Sequence, residues 1–282
     1  MRILRGLKQV HRAPEVLRCY RFTDHWSKLL FAYVGLPTKF PFSITTRDGV
    51  RIPFQEITDV QTFWQIFIAG LYPVRSTDTV IVDAGANVGY FTLYALQKSP
   101  RCCVISIEPA PDCYLRLCEL VSASGMMDRC RSLNVGLGDE SGRAMLGSEI
   151  GGEPTQFRRV GSAGRIPVQL LTMDEVLKGY ESVDLLKMDI EGSEYDVFRV
   201  ASVATVRKIR RICMEYHPLY IDNAVISRVN ELIARLAVDG LQMTSRVDFG
   251  DGYGVLNFAR ESCRDESVVL RAEKSQAAAT SR

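Results

Sequence analysis

The chain has 282 residues, of which 46% are hydrophobic and 24% are charged. This composition is that of a globular protein, and it excludes a collagen-like chain, a wholly disordered chain and a polytopic membrane protein. Because 35 basic residues are balanced by 33 acidic ones, for a formal net charge of +2, the overall charge does not favour binding to nucleic acid, and we expect no such partner.

The N-terminal segment, residues 1–41, is locally basic. Within residues 1–35, seven basic residues stand against two acidic ones, for a local charge of +5. Leucines and aromatic residues lie between these charges, so the segment is either a solvated helix surface or an arm that makes weak contact with an anionic membrane or substrate. It lacks the continuous apolar stretch of a secretory signal, and we therefore expect a cytoplasmic protein.

A hairpin and a helix are predicted next along the chain. An Asp-Gly dipeptide between alternating apolar residues predicts a hairpin over 42–54. Apolar residues at a spacing of three and four predict a partly buried helix over 56–70. Both elements belong to the N-terminal part, 42–78, of a main domain that we predict to cover 42–262.

From residue 79 onward, short β-rich runs alternate with helical stretches. Strands are predicted at 79–84, 102–108, 131–138, 183–190 and 208–216, and helices at 89–98, 111–124, 193–203 and 223–239. Strands separated by helices indicate βαβ crossovers and a parallel sheet that is covered on both sides. Two later runs, 241–248 and 253–260, are joined by so short a connection that they must be antiparallel. The fold class is therefore α/β, Rossmann-like, with a mostly parallel sheet and a C-terminal antiparallel hairpin.

Two segments depart from this alternation. Residues 139–171 are rich in Gly, Ser and Arg and predict an inserted loop or hairpin. Immediately after them, Thr172 and Glu175 have the spacing of a capping box that starts another helix. Residues 263–282 are polar and predict a disordered tail, so the Rossmann-like core covers residues 79–262.

A glycine-rich turn follows the first strand of this core, with Asp83, Gly85, Asn87 and Gly89 at alternate positions. Glycines there let the backbone approach a ligand, and the free N–H groups of the next helix attract negative charge. The spacing is neither that of a dinucleotide fingerprint nor that of a P-loop. An acidic residue just before the first glycine suits a ligand with a cationic group, such as an amino acid. The alternative is a tight turn that binds nothing.

Three further polar residues follow the next two strands. Glu108 ends the second strand, where a carboxylate can accept both hydroxyls of a ribose, although it could instead cap the following helix. Asn134 and Asp139 come at the end of the third strand, where the amino group of an adenine could be recognised. A simple turn at Asp139 is an equally good interpretation.

A second set of ionisable residues lies at the ends of two later strands. Lys187 and Asp189 are two apart on one strand and so project to the same side, and a lysine inside an apolar strand needs a partner or a task. Glu215 and His217 occupy the same end of the next strand. Ligands of open parallel sheets bind at the carboxyl ends of the strands, so we expect these groups to meet in one cleft. A purely structural lysine–carboxylate pair is the alternative.

Several stretches of the sequence occur in the order found in one known family. They are DAGANVGYFTLYAL, ISIEPAPDCYLRL, NVGLGDESG, VQLLTMDEVL, VDLLKMDIEGSEYDVF and ICMEYHP. Over about residues 42–218 the chain resembles the FkbM family of S-adenosylmethionine-dependent methyltransferases. The pairing of D-x-G-x-N-x-G with a later K-x-D-x-E-G-x-E is specific, since a generic class I methyltransferase shares only the first motif.

The resemblance implies a class I methyltransferase sheet, S-adenosylmethionine as methyl donor and O-methylation of a hydroxyl on a sugar or natural-product scaffold. It assigns cofactor binding to Asp83, Gly85, Asn87, Gly89 and Glu108. It places on the reaction side Lys187, Asp189, Glu191, Glu194, Glu215 and His217. The acceptor would be a small molecule or a glycan, and neither its identity nor the oligomeric state is predicted.

Methyl transfer is an in-line displacement at a sulfonium, in which alignment supplies most of the rate gain. Because a sugar hydroxyl is a poor nucleophile at neutral pH, we expect Asp189 or His217 to act as a general base, with Lys187 positioning Asp189. A divalent ion held by Asp189, Glu215 and His217 is the alternative, and oxygen-rich ligands of this kind suit magnesium. The sequence leaves the metal dependence open.

Two other functions are alternatives to methyl transfer. A nicotinamide-dependent oxidoreductase could have a similar sheet, but the sequence lacks the dinucleotide fingerprint. A non-catalytic module could keep the cofactor fold and work through protein contacts, but the full set of ionisable groups at the strand ends argues against it.

Overall fold

The computed structural model describes residues 13–147, 158–159, 166–217, 224–250 and 253–263. The chain divides into two compact units, Met1–Tyr72 with Glu119–Met127 and Pro73–Cys118 with Asp128–Arg282. Among the described residues, no helix combines the length and the apolar character needed to cross a membrane. Residues 1–12 and 264–282, which include most of the predicted tail, lie outside the described residues.

The first unit contains helices, a hairpin and a π-helical turn. Its elements are α1 (Ala13–Phe22), α2 (Trp26–Tyr33), β1 (Phe42–Thr45), β2 (Arg51–Phe54), α3 (Ile57–Phe63) and a π-helix (Trp64–Ala69). The predicted hairpin is confirmed, because β1 and β2 pair antiparallel with Ile44 opposite Ile52. The predicted helix over 56–70 is confirmed as α3 and the π-helix that continues it.

The predicted main domain includes this hairpin and helix, whereas the structure groups them with the N-terminal helices. The physical reason is a cluster of aromatic rings. Phe63 on α3 lies 5.6 Å from Phe22 of α1 and 5.3 Å from Phe54 of β2, measured between ring centroids. These side chains form an apolar centre of their own, with Phe54 and Phe63 fully buried.

The second unit contains the remaining elements. Its strands are β3 (Val80–Ala84), β4 (Cys103–Ile107), β5 (Cys130–Leu133), β6 (Gly136–Leu137), β7 (Gly142–Gly147), β8 (Arg158–Arg159), β9 (Ile166–Leu171), β10 (Leu185–Met188), β11 (Arg211–Tyr216), β12 (Gln242–Gly250) and β13 (Tyr253–Ala259). Its helices are α4 (Tyr90–Lys98), α5 (Pro111–Ala123, which runs into the first unit), α6 (Met173–Val176), α7 (Glu194–Val200), α8 (Val203–Lys208) and α9 (Ala224–Val238).

The main sheet has seven strands in the order β12-β13-β11-β10-β3-β4-β5. The five strands from β11 to β5 are parallel, and β13 and β12 are antiparallel to their neighbours. The predicted mostly parallel sheet with a C-terminal hairpin is therefore confirmed. The strand order reverses between β3 and β10, and the cleft at such a switch point is where open α/β sheets bind ligands.

The predicted strand 131–138 is instead two strands in two sheets. After β5, the chain leaves the main sheet at Asn134, and β6 pairs with β9 in a second sheet of order β6-β9-β7-β8. The break follows from hydrogen bonding, because the Asn134 amide donates to the backbone carbonyls of Glu108 (2.8 Å) and Pro109 (3.1 Å). Of the two alternatives predicted for residues 139–171, a loop or a hairpin, the structure supports the hairpin, because β7 and β9 pair antiparallel within this second sheet.

N-cap residues determine where two of the predicted helices begin. The capping box of Thr172 and Glu175 is confirmed at the start of α6. The predicted helix 193–203 is two helices, α7 and α8, because the Ser202 hydroxyl accepts a hydrogen bond from the backbone N–H of Thr205 at 3.2 Å. A serine N-cap begins a new helix at this point.

Candidate active site

The turn after β3 brings two backbone segments into direct contact. Gly85 and Gly89 have positive φ angles of 74° and 89°, and Asn87 adopts the same left-handed region at 49°. A Cβ atom on Gly85 would lie 1.8 Å from the carbonyl oxygen of Asp189, which follows β10. The turn therefore requires a glycine at this position, because any side chain would collide with the backbone after the neighbouring strand.

Glu108, at the end of β4, is held by backbone amides beside this turn. Its two carboxylate oxygens accept hydrogen bonds from the N–H groups of Asn87 (2.7 Å) and Ala110 (2.8 Å). Burial raises its pKa to about 7, although the two N–H groups and the charge of Lys187 act in the opposite direction. Each oxygen uses one of its lone pairs, so the carboxylate retains acceptor capacity for a ligand.

An open cleft of about 730 Å³, counting the solvent space at its mouth, lies between these strand ends. Its polar lining residues are Asn87, Glu108, Asp189, Glu191 and Ser193. Its apolar lining residues include Ile107, Leu137, Leu146, Leu170 and Ile190. Leu137, Leu146 and Leu170 come from the second sheet, and sequence reasoning missed them because only the pairing of distant strands brings them to the cleft.

Three of the predicted cofactor-binding residues have other partners and do not line the cleft. Asp83 is fully buried and accepts a hydrogen bond from the Thr92 hydroxyl at 2.7 Å. The amide nitrogen of Asn134 is used on backbone carbonyls, and the Asp139 carboxylate lies 3.2 Å from Nη2 of Arg199. Contact of these three residues with a cofactor stays a prediction. In the structure they form hydrogen bonds or ion pairs with neighbouring protein groups near the strand ends.

Gly89 has a packing function. A Cβ atom at this position would lie 2.6 Å from Cδ1 of Leu117. The glycine thus lets the start of α4 approach α5 closely, next to the turn that lines the cleft.

Lys187, on β10, lies beneath the glycine-rich turn and is 4% exposed. Its Nζ donates to the Gly85 carbonyl at 2.7 Å and lies 3.3 Å from Asp83 and 3.8 Å from Asp189. Burial lowers the pKa of Lys187, but the charges of Asp83, Asp189 and Glu215 outweigh this effect and raise it. Lys187 is therefore an ammonium ion that links the turn after β3 to the carboxylate after β10.

His217, after β11, is surrounded by three carboxylates. Its Nδ1 lies 3.3 Å from Glu194, and its Nε2 lies 3.6 Å from Glu191 and 3.7 Å from Asp189. Burial lowers the pKa of His217, but the hydrogen bond and charge of Glu194, with the charges of Asp189 and Glu191, raise it to about 10. At neutral pH His217 is therefore an imidazolium and has no free lone pair for proton abstraction.

The structure brings Lys187, Asp189, Glu191 and His217 close together, with Glu194 as a buried partner of His217. Of the groups predicted to meet in the cleft, Asp189 lines it, whereas Lys187, Glu215 and His217 do not. Glu194 also accepts a hydrogen bond from the backbone N–H of Ile190 at 3.1 Å, which holds the segment after β10. Glu191 has a φ of 55°, a left-handed conformation that is uncommon for a residue with a side chain. Such conformations are found at functional sites.

The predicted metal ligands also lie close to one another. One ligating atom each from Asp189, Glu215 and His217 falls within 4.8 Å of the others. Two carboxylates and an imidazole are suitable donors for a divalent ion, and His217 would have to lose its proton to coordinate one. The residues therefore fit a metal in number and type, while Asp189 and His217 form ion pairs in the present arrangement.

The fold and the site together define the class of protein to which the chain belongs. A mostly parallel α/β sheet with a C-terminal antiparallel hairpin, and a cleft at the ends of β3, β4 and β10, are those of a Rossmann-like class I methyltransferase. The family described as Methyltransferase FkbM domain matches residues 83–237, which is more than half of the chain. The chain belongs to the FkbM methyltransferase family.

Two curated relatives named as methyltransferases and one named as a synthetase match the chain. The chain is 26% identical over 203 residues to methyltransferase sdnD of Sordaria araneosa, a match that covers 58% of this chain and 78% of sdnD. It is 30% identical over 162 residues to 2-O-methyltransferase NoeI of Sinorhizobium fredii, covering 51% of this chain and 65% of NoeI. It is 27% identical over 246 residues to AMB antimetabolite synthetase AmbE of Pseudomonas aeruginosa, covering 71% of this chain but only 11% of AmbE.

Proposed function

We propose that the chain is an S-adenosylmethionine-dependent O-methyltransferase that acts on a hydroxyl of a small-molecule or glycan acceptor. The observation that carries this proposal is the position of the Glu108 carboxylate. It is held by two backbone N–H groups at the end of β4 and lines the cleft across from Asp189. A sugar-binding carboxylate and a potential base thus lie on opposite sides of the first strand of the core.

The cleft has the donor and acceptor groups that a sulfonium nucleoside requires. Glu108 retains lone pairs for the two ribose hydroxyls, and the apolar side chains of Leu137, Leu146 and Leu170 offer a surface for an adenine ring. The side-chain oxygen of Asn87 is buried and has no hydrogen-bond partner among the described residues, which leaves an acceptor for the cationic end of the ligand. When bound, the cofactor supplies an electrophilic methyl group.

Asp189 is the base that the geometry supports. Its carboxylate lines the cleft and is about one quarter exposed, so an acceptor hydroxyl can reach it. His217, the other candidate, carries its proton at neutral pH. In the proposed reaction the acceptor O–H would donate a hydrogen bond to Asp189. Asp189 would take the proton when the acceptor oxygen gains the methyl group, and the sulfur would leave with the electron pair of the broken C–S bond, as S-adenosylhomocysteine. General-base assistance of this kind contributes about 10²- to 10⁴-fold to the rate.

Two cations hold Asp189 for this step. Lys187 lies 3.8 Å from one of its oxygens and His217 lies 3.7 Å from the other. Lys187 also donates to the Gly85 carbonyl, so the base is positioned relative to the turn that would contact the cofactor. NoeI, whose name describes a 2-O-methyltransferase, supports a hydroxyl as the acceptor.

A calorimetric titration with S-adenosylhomocysteine tests the cofactor assignment. We expect binding by the wild-type protein and a loss of at least tenfold in affinity for Glu108→Gln. Glu181→Gln is the matched control, because Glu181 is an exposed glutamate of the same unit away from the cleft. Absence of heat with the folded wild-type protein, or binding of a nicotinamide dinucleotide instead, would overturn the proposal.

In a second form of the proposed reaction, a divalent metal ion activates the acceptor hydroxyl. This form is supported by the short distances between potential ligand atoms of Asp189, Glu215 and His217. A divalent ion in this position would lower the pKa of the acceptor hydroxyl. An assay of methyl transfer distinguishes the metal-dependent reaction from the metal-independent one. It uses a labelled donor and a panel of sugar and polyhydroxylated acceptors, with and without exhaustive chelation. Activity that survives chelation eliminates the metal version and leaves Asp189 as the base.

A further inference from the structure

The first unit exposes apolar side chains on its two N-terminal helices. Leu17 and Tyr20 on α1, and Phe31, Val34 and Leu36 in and after α2, are each 50–54% exposed. We refer to these five residues as the N-terminal apolar surface. They fall within twenty residues and account for five of the fourteen large apolar residues that are exposed in the described part of the chain. This local concentration differs from the scattered exposure that is normal in globular proteins.

The opposite sides of the same helices are already buried. Cys19 on α1 and Leu29 and Ala32 on α2 are fully buried within the first unit. The exposed residues therefore do not belong to the core-facing side. Exposed apolar residues concentrated on neighbouring helices are a feature of surfaces that bind a partner or a membrane.

Basic side chains accompany the N-terminal apolar surface. Arg18, Arg21, Lys28 and Lys39 are exposed. Arg18 also donates to the carbonyl of Ile68 at 2.6 Å, and Nζ of Lys28 lies 4.5 Å from the centroid of the Phe42 ring. Two acidic residues lie nearby, Glu15 and Asp24, and Asp24 pairs with Arg47 at 2.9 Å. The twelve preceding residues of the sequence, MRILRGLKQVHR, add four basic residues and no acidic one.

Aromatic contacts link the two helices on this side. The rings of Tyr20 and Trp26 meet edge to face at 6.0 Å, and the guanidinium of Arg47 lies 5.6 Å from the Tyr20 ring. Tyrosine and tryptophan are the side chains that favour the boundary between water and an apolar phase, because one end of each is polar.

We propose that the N-terminal apolar surface binds the surface of an anionic membrane. The apolar side chains would enter the boundary between headgroups and acyl chains, and the basic side chains would contact lipid phosphates. A second copy of the chain is disfavoured as the occupant, because pairing two such surfaces would bring two positive segments together. The proposal concerns the first unit alone and is independent of the proposed reaction.

Vesicle co-sedimentation with the full chain tests this inference. We expect binding to vesicles of phosphatidylcholine with 30% phosphatidylglycerol and at least tenfold weaker binding to phosphatidylcholine alone. The variant Phe31→Ser/Val34→Ser is expected to lose at least tenfold in partition. Val238→Ser is the matched control, because Val238 is the most exposed large apolar residue of the described chain, at 83%, and lies in the second unit.

A second variant tests the electrostatic part. Arg21→Gln/Lys39→Gln removes two exposed charges, and each basic residue near an anionic surface contributes about fivefold in affinity. Retention of a wild-type circular dichroism spectrum checks that each variant is folded. The proposal is overturned if wild type binds neither vesicle, if Phe31→Ser/Val34→Ser binds as wild type does, or if light scattering shows a dimer that this variant abolishes.

Discussion

The two sides of the cleft hold their carboxylates in different ways. On the β4 side, Glu108 is fixed by backbone N–H groups in a buried position, and burial raises its pKa to about 7. On the β10 side, Asp189 is fixed by the side-chain cations Lys187 and His217 and remains partly exposed. The first arrangement suits recognition of hydroxyl donors, whereas the second places a partly exposed carboxylate where an acceptor in the cleft can reach it. Substitutions on the two sides should therefore separate binding from turnover.

The largest expected effect is that of Asp189→Asn. The amide cannot take the proton of the acceptor, so we expect kcat to fall by about 10²- to 10⁴-fold. Affinity for S-adenosylhomocysteine should stay within about threefold of wild type, because the nucleoside contacts are assigned to the other side. Steady-state kinetics with a labelled methyl donor, together with calorimetry, measure both quantities. Turnover within threefold of wild type would remove Asp189 as the base.

Lys187→Met should mainly affect stability. Lys187 and Asp83 form an ion pair at 3.3 Å in which both side chains are almost completely buried. Removing the cation leaves the carboxylate uncompensated, which typically destabilises a protein by about 3–5 kcal/mol. Urea unfolding measures the change. The double variant Lys187→Met/Asp83→Asn should recover most of the lost stability, and failure to recover would mean that Lys187 acts through its other contacts, at Gly85 and Asp189.

Gly85→Ala tests the contact between the two sides directly. The substitution places a side chain at a φ of 74° and 1.8 Å from the Asp189 carbonyl oxygen. Gly179→Ala is the matched control, since Gly179 has a φ of 88° but no atom within 4 Å of its added Cβ. Left-handed strain alone amounts to about 1–2 kcal/mol, and forced overpacking adds about 1–3 kcal/mol.

Thermal unfolding should therefore show a larger loss for Gly85→Ala than for Gly179→Ala. The affinity for S-adenosylhomocysteine should fall only for Gly85→Ala. Equal losses of stability in the two variants would show that the contact between the turn and Asp189 is relaxed in solution.

Much of this site was predictable from short sequence patterns. The glycine-rich turn, Glu108 at a strand end, and Lys187 with Asp189 on one side of a strand follow from strand periodicity and from the rule that ligands bind at the carboxyl ends of parallel strands. These predictions use residues that lie near one another along the chain. They locate the site without knowledge of strand pairing.

The remaining features depend on contacts between distant residues. The charge of His217 results from three carboxylates that precede it by 23 to 28 positions. The apolar wall of the cleft needs β6 to pair with β9, about thirty residues later. The amide nitrogen of Asn134, a residue predicted to recognise an adenine, donates to two backbone carbonyls, and only the three-dimensional arrangement reveals this second use.

The smallest expected effect is the pH dependence of nucleoside binding through Glu108. Ribose hydroxyls donate to the ionised carboxylate, so affinity should increase as the pH rises through about 7. Between pH 6 and pH 8 the ionised fraction of such a group changes about tenfold, which sets the upper limit of the effect. Calorimetry with S-adenosylhomocysteine across this range measures it.

Glu108 also affects the stability of the free protein in the opposite direction. Because the folded-state pKa is raised, the contribution of Glu108 to stability is fully present below its ordinary pKa of 4.5 and is lost as the pH rises through about 7. Glu108→Gln removes the titrating group, so both its affinity and this part of its stability should be independent of pH. A wild-type affinity that stays constant from pH 6 to pH 8 would mean that Glu108 is ionised throughout this range and that burial does not raise its pKa as far as 7.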